Sequence, residues 1–379
     1  MSKRKCPICS CNEKKRIEQI KLLLPEEYQL PSEYWIVECD RCGFSYADTG
    51  ATIENYNHYY ATCNTYSGIP DDVEEREYLY NDVNELLKGR VDKSDSLMDI
   101  GFGKGEFLSW LNENHYINIM GLDPSVESVA RMNNRGINAV VGNIYDLPLA
   151  NLKKRMKCVF LFAVLEHLLY PKEAIFNIKT YLEEDGYLIL NVPNCACLDN
   201  SYPILDAFNQ EHINYFSIIS LDNIMAECGF KKIESKIIQR GEEILALYQL
   251  KDNKNSKLEK DTICSKEIRR YISKFSERKV YIQEQLNVLK KHNITEIYVW
   301  GTGAYTMWLL ANSMLMDFSI QFIDNNTTKI GKNLGAGRIY KPDCIKNQEK
   351  PIVICSMLYS QDIKKQILRM GLKNEIVIL

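Results

Sequence analysis

Between residues 94 and 250, short apolar runs alternate with stretches whose apolar positions recur every three or four residues. The runs lie at 97–100, 117–122, 158–165 and 186–194, with a shorter one inside 138–148. Runs of this kind with helical spacing between them predict a parallel, doubly wound sheet with helices on its faces. The stretches 230–238 and 242–250 alternate apolar and polar residues around Gln239, Arg240 and Gly241, which predicts an antiparallel hairpin. Upstream, 71–89 has an amphipathic helical pattern ending at Gly89, and 33–42 has the pattern of a strand. Residues 54–66 hold four tyrosines, and a helix there puts Tyr56, Tyr59 and Tyr60 on one face. Downstream, a Lys/Asn-rich linker at 251–257 leads into a long helical pattern at 266–292. A second strand, glycine turn and helix follow at 296–311, with further strands at 318–326, 351–355 and 375–379.

The stretch 97–108, LMDIGFGKGEFL, organises the rest. An apolar run passes through Asp99, then Gly101, Gly103 and Gly105 alternate with other residues before a helix pattern begins. Glycines at such a turn allow positive φ and let a ligand lie against the backbone. The helix start beyond them offers free N–H groups and a positive dipole end. The spacing Gly-x-Gly-x-Gly differs from the Gly-x-Gly-x-x-Gly of dinucleotide sites. The next strand ends in Asp123, where a carboxylate can take both hydroxyls of an adenosine ribose. This pairing, together with the hairpin, resembles class I S-adenosylmethionine-dependent methyltransferases. The resemblance implies a cofactor site made by Asp99, Gly101, Phe102, Gly103, Gly105, Asp123 and Pro124, with Asn143 and Ile144 at the adenine and Phe162 near the methionine part.

Composition narrows the setting. A chain of 379 residues, 45% hydrophobic and 26% charged, is long enough for two or three globular domains. Its formal net charge of -3 disfavours a nucleic-acid partner. No apolar run is long enough to cross a bilayer, and no apolar signal core follows the basic start, so a cytoplasmic location is expected. Thirteen cysteines in a reducing compartment point to metal binding and buried thiols. Cys6 and Cys9 form one Cys-x-x-Cys knuckle, Cys39 and Cys42 a second, with Gly43 after it. Two such knuckles predict a zinc ion with four thiolate ligands and no coordination position left for water, hence a structural site. Cys11 is a spare thiol.

Two Glu-His pairs carry the remaining chemistry. Glu166-His167 follows the fourth central strand; Glu211-His212 lies in the stretch Gln210-Glu211-His212-Ile213-Asn214-Tyr215-Phe216-Ser217. A histidine beside a carboxylate can be held in one tautomer and act as a base. The second stretch, with the cysteine knuckles before it and the Rossmann-type pattern after it, resembles the zinc-containing sugar C-methyltransferases that act on nucleotide-linked deoxysugars. Where that family has Tyr-His before the pair, this chain has Asn209-Gln210. Tyr60 or Tyr66 of the tyrosine-rich stretch 54–66 is expected to project into the substrate pocket, with Tyr66 the candidate catalytic phenol. The resemblance implies His212, Glu211 and His167 on the catalytic side. It also implies transfer of the sulfonium methyl to a nucleotide-linked sugar, at a carbon beside a ketone or at a hydroxyl. The alternatives are an O- or N-methyltransferase on another small metabolite, or an RNA methyltransferase. The expected architecture is α/β in four parts: a zinc segment with its Tyr-rich helix (1–70), the methyltransferase domain (71–250), a linker and helix (251–292), and a smaller Rossmann-like domain (293–379). In that last part Gly301 and Gly303 make the turn, Thr306 stands where the dinucleotide fingerprint has its third glycine, and Asp324 ends the next strand. The domain is expected to wall the substrate cleft or to be structural.

Overall fold

The computed structural model describes residues 4–62, 76–146, 154–198, 205–251 and 257–379. Tyr66 falls outside them. Three strands open the chain, β1 (Lys14–Lys21), β2 (Glu33–Cys39) and β3 (Ser45–Asp48), followed by helices α1 (Ile53–Thr62) and α2 (Glu77–Leu87). The central part then runs β4 (Ser96–Ile100), α3 (Glu106–Glu113), β5 (Asn118–Asp123), α4 (Val126–Asn134), β6 (Ala139–Val141), β7 (Met156–Phe162), α5 (Pro171–Tyr181), β8 (Leu182–Pro193), β9 (Asn214–Tyr215), α6 (Ile218–Glu227), β10 (Phe230–Ile238) and β11 (Glu243–Leu250). The remainder is α7 (Cys264–Lys291), β12 (Glu296–Trp300), α8 (Ala304–Asn312), β13 (Ser319–Ile323), β14 (Asn333–Leu334), β15 (Gly337–Tyr340), β16 (Ile352–Ile354), α9 (Ser360–Arg369) and β17 (Ile376–Ile378).

The central sheet has the order β10-β11-β8-β7-β4-β5-β6. Strands β4 to β8 pair in parallel, and β11 runs antiparallel to both β8 and β10. This is the mostly parallel sheet closed by a hairpin that the alternation predicts. The buried faces of β7 and β8 explain their unbroken apolar runs, because helices cover both sides. Ser125 caps α4 by accepting the Ser128 N–H. The third apolar run yields only the short β6; Gly142 ends it, and Asn143 and Asp146 form an isolated pair beyond.

The N-terminal part, expected as a segment apart, gains a strand from the central part of the chain. β9, from the Glu-His stretch, adds to β3 and completes the sheet β1-β2-β3-β9. That pairing ties the zinc-type segment to the central domain through the candidate catalytic loop itself. Helix α7 joins the parts as well. Its buried stripe Cys264, Ile268, Tyr271, Phe275, Ile282, Leu286 and Leu289 shares one core with Ile20 and Ile36 of the first sheet and Ile297 and Val299 of the third. Spacings of three, four and seven residues keep that stripe on one face. The third sheet, β14-β15-β13-β12-β16-β17, is parallel apart from β14, as its Rossmann-type pattern predicts.

Candidate functional site

The glycine turn leaves β4 with Gly101, Gly103 and Gly105 all at positive φ. A Cβ on Gly101 would lie 2.6 Å from Val164 Cγ2 and one on Gly105 2.2 Å from Met132 Sδ, so both are required by close packing. A Cβ on Gly103 would meet nothing within 4 Å. Here the backbone faces open space, as a cradle for a ligand must. The Asp123 carboxylate closes one side of the turn, accepting the N–H groups of Gly103 (2.9 Å) and Ser125 (2.8 Å). Burial raises its pKa and these two bonds lower it. Asp99, beneath the turn, is fully buried; desolvation first, and then the Asp123 charge, push its pKa up to about 8. Phe102, Ile144 and Phe162 are buried apolar residues at the ends of β4, β6 and β7, and Pro124 is half-buried after β5. Asn143 is already engaged: its Oδ1 accepts the Tyr145 N–H and its Nδ2 bonds Asn57 of α1. An open backbone cradle, a carboxylate beside it and apolar residues at three strand ends suit a nucleoside.

Beyond β7 the chain turns sharply. Ala163 sits at φ +53°, a region that L residues rarely adopt, and the short 3-10 turn Leu165–His167 follows. Glu166 and His167 are thereby buried. The Glu211-His212 loop meets them. His167 Nδ1 lies 3.1 Å from the Glu211 carbonyl oxygen, and the His167 and His212 rings stand edge-to-face with centroids 4.9 Å apart. Desolvation lowers the pKa of His167 to about 3, helped by His212, and that of His212 to about 4, so both imidazoles are neutral at pH 7. Desolvation pushes Glu166 up to about 8.

The loop is held on all sides. Asn209 Oδ1 accepts the N–H groups of both Glu211 and His212 at 2.8 Å. The Tyr56 hydroxyl donates to the Gln210 carbonyl (3.1 Å), and the Tyr34 hydroxyl to the carbonyls of Phe208 (2.8 Å) and Asn209 (3.0 Å). The phenol bonded to the Glu211 carboxylate belongs to Tyr59, which also accepts from Gln210 Nε2. Tyr60 stacks its edge on His167 with centroids 6.0 Å apart. The helical face of Tyr56, Tyr59 and Tyr60 thus covers the loop, and Tyr59 was not singled out as the phenol by its spacing alone.

Two further residues escaped the sequence reading. Arg4 is buried, and its guanidinium donates to the carbonyls of Ala47, Ile213, Leu168 and Leu169 and to Asn214 Oδ1. Asn214 Nδ2 in turn donates to the carbonyls of Leu165, Glu166 and Leu168. Together they staple the His212 loop to the Glu166-His167 turn. An arginine two positions before a cysteine knuckle gives no local sign of this. An apolar-flanked asparagine at the start of a strand was the one available hint.

Cys6, Cys9, Cys39 and Cys42 converge, and their sulfurs all lie within 4.8 Å of one another. The pairs Cys6–Cys42 and Cys9–Cys39 are 3.5 and 3.4 Å apart. A thiolate tetrahedron with arms of about 2.3 Å has edges of about 3.8 Å, so the four can hold a zinc ion after small adjustment. Gly43, at φ +73°, is pressed against Asp261, whose carbonyl oxygen would lie 1.8 Å from an added Cβ. In the C-terminal part, the Asp324 carboxylate accepts the Thr302 N–H (3.0 Å), and the Thr306 hydroxyl donates to the carbonyls of Gly301 and Cys355. Thr306 is thus buried where the third glycine of the dinucleotide fingerprint serves close helix–strand packing, with its hydroxyl satisfied by these two carbonyls. Among the described residues no helix is long and apolar enough to cross a membrane.

Residues 73–235 match the family described as methyltransferase domain. That match takes in the glycine turn and strands β4 to β8, a little under half of the chain. The uncharacterized protein MJ1252 of Methanocaldococcus jannaschii is 31% identical over 125 residues, which are 33% of this chain and 47% of that protein. The match thus spans about half the length of that curated relative. Among solved structures, a chain of the complex between the Haloferax volcanii Trm112 methyltransferase activator and its methyltransferase shows 15% identity over 47% of this chain and 93% of its own, with a TM-score of 0.41. The PH0226 protein of Pyrococcus horikoshii shows 17% identity over 48% and 94%, with a TM-score of 0.39.

Proposed function

We propose that the protein transfers a methyl group from S-adenosylmethionine to a nucleotide-linked sugar, at a carbon beside a ketone or at a hydroxyl. The observation that carries this reading is the meeting of Glu211-His212 with Glu166-His167 at the carboxyl ends of the central strands, beyond the glycine turn. Ligands of open α/β sheets bind at that end. The cofactor supplies a strongly electrophilic methyl group on sulfonium. Gly101, Phe102, Gly103 and Gly105 carry its nucleoside along the backbone, Asp123 takes the ribose hydroxyls, and Pro124, Asn143, Ile144 and Phe162 bound the base and methionine ends. Asp99 supports the turn from below.

The protein's remaining task is alignment, exclusion of water and removal of one proton from the acceptor. The four buried or half-buried groups Glu166, His167, Glu211 and His212 handle that proton. Tyr59, on the Glu211 carboxylate, supplies a phenol where the Asn209-Gln210 pair lacks one. Tyr66 is assigned to the acceptor side from the tyrosine-rich stretch 54–66 of the sequence. Cys6, Cys9, Cys39 and Cys42 hold a structural zinc ion that keeps the first sheet, and with it β9, in place. The test is mass-resolved turnover with S-adenosylmethionine and a panel of nucleotide-linked ketodeoxysugars. Wild-type protein is expected to add one methyl group. His212→Ala is expected to abolish turnover while calorimetric binding of S-adenosylhomocysteine survives. Unchanged turnover by that variant would remove the histidine pair from the reaction.

A further inference from the structure

The polar atoms around Glu166 do not balance. Its side chain is about 2% exposed, and neither carboxylate oxygen has a hydrogen-bond partner among the described residues. Its near neighbour is an acceptor too. The Glu211 carbonyl can only accept, so His167 Nδ1 carries the ring proton and Nε2 presents a lone pair. That Nε2 lies 3.7 Å from Glu166 Oε1, too far for a hydrogen bond. A ring nitrogen of His212 is the third member, and the three ligand atoms lie within 4.8 Å of one another. A buried carboxyl group facing two ring nitrogens can be satisfied by a cation between them, which takes the place of a proton on Glu166.

We propose that Glu166, His167 and His212 bind one first-row divalent cation that takes the oxygen of the methyl acceptor as a further ligand. Two imidazoles and one carboxylate on one side of an ion leave its other positions open. Nitrogen and oxygen donors suit manganese, iron, cobalt or zinc, whereas the four thiolates of the cysteine cluster suit zinc and disfavour manganese. The Glu211 carbonyl orients His167 from behind, as ligating histidines require. Asn214 and Arg4 lock the two loops that bring the ligands together. This inference rests on the methyl-transfer reading for its use, since the ion makes a hydroxyl, or the carbon beside a carbonyl, easier to deprotonate. With the two histidines and Glu166 on the ion, the acceptor's proton passes to Glu211, the remaining group of the four; the sulfur–methyl bond breaks, and the new bond to the acceptor forms with the electron pair the proton leaves. It selects acceptors that carry a hydroxyl or ketone oxygen at the methylated centre.

Manganese(II) is the probe. Full-length protein dialysed against a chelator, with its tightly held zinc counted by elemental analysis, is titrated with Mn2+ while free ion is read by electron paramagnetic resonance. One ion is expected to bind per chain, with affinity lowered by about tenfold or more in Glu166→Gln and in His212→Ala. Binding of S-adenosylhomocysteine shows that each variant is folded; if Glu166→Gln fails that check, the partly exposed loop residue His212 gives the same reading. No bound Mn2+, or binding unchanged in the folded variants, overturns the site. The titration contains no acceptor. A failed ion site therefore leaves methyl transfer standing with the histidines as unaided bases, and a failed sugar assay leaves the ion site standing.

Discussion

Asp99 is a carboxylate held where its charge is disfavoured. Burial and the neighbouring Asp123 raise its pKa to about 8, above the usual carboxylate range. The folded chain therefore binds this proton more tightly than the unfolded chain does. Its contribution to stability is complete below the unfolded value near pH 4 and is lost as pH rises towards about 8. Asp99→Asn removes the titration. The melting temperature of the cofactor-free variant, set against wild type, is expected to improve steadily from acid to alkaline buffer. A constant difference across that range would mean that Asp99 is not held in this way. At the same scale, Gly103 differs from its neighbours. Gly101 and Gly105 are fixed by protein packing, whereas Gly103 is required by its positive φ and leaves its side of the turn open.

At the scale of elements, the site is a junction between a turn and a loop, and Asn214 is its fastener. Its amide donates to three carbonyls of the Glu166-His167 turn and its oxygen accepts from Arg4. Asn214→Ala removes one donor from each of those carbonyls, which keep the N–H groups of Leu168 and Ile213 and the Arg4 guanidinium, and takes an acceptor from Arg4; it is expected to cost about 1–2 kcal/mol of stability. The turnover number should fall steeply while the affinity for S-adenosylhomocysteine changes little, because the glycine turn is untouched. A variant with full turnover and only a lower melting temperature would show that the loops align without the fastener. The same junction explains the strained backbone at Ala163, which turns the chain from β7 into the Glu166-His167 turn.

Across the whole molecule, the cysteine cluster acts at a distance. It pins the turn after β2, β2 pairs β3, and β3 pairs β9, which begins two residues after His212. Gly43 on Asp261 clamps the same knuckle against the segment entering α7. Displacing the zinc proposed for this cluster with a mercurial reagent is expected to unfold the first sheet and to end turnover together, measured by circular dichroism and by the methylation assay. Full turnover after complete metal release would uncouple the cluster from the site. The third sheet contributes a shared core through α7, and in its own glycine turn Asp324 accepts the Thr302 N–H while Gly303 stays open.

Much of the fold was legible in the chain because it rests on local periodicity. Apolar runs alternating with helical spacing predict the parallel sheet, and strict alternation predicts the hairpin. Short motifs did the same for the glycine turn, the acid at Asp123 and the two cysteine knuckles, since each needs particular residue types within a few positions. The hydrogen bond from His167 to Glu211 spans 44 residues, and that from Arg4 to Ile213 spans 209. No period or spacing encodes such contacts. They exist because β9 adds to the first sheet rather than the central one, and because buried carbonyls left by that arrangement must find donors. The chain by itself determined which chemistry was available; only its tertiary closure decided that Glu166, His167 and His212 share one buried space, because desolvation and convergence belong to the folded molecule and not to any segment of it.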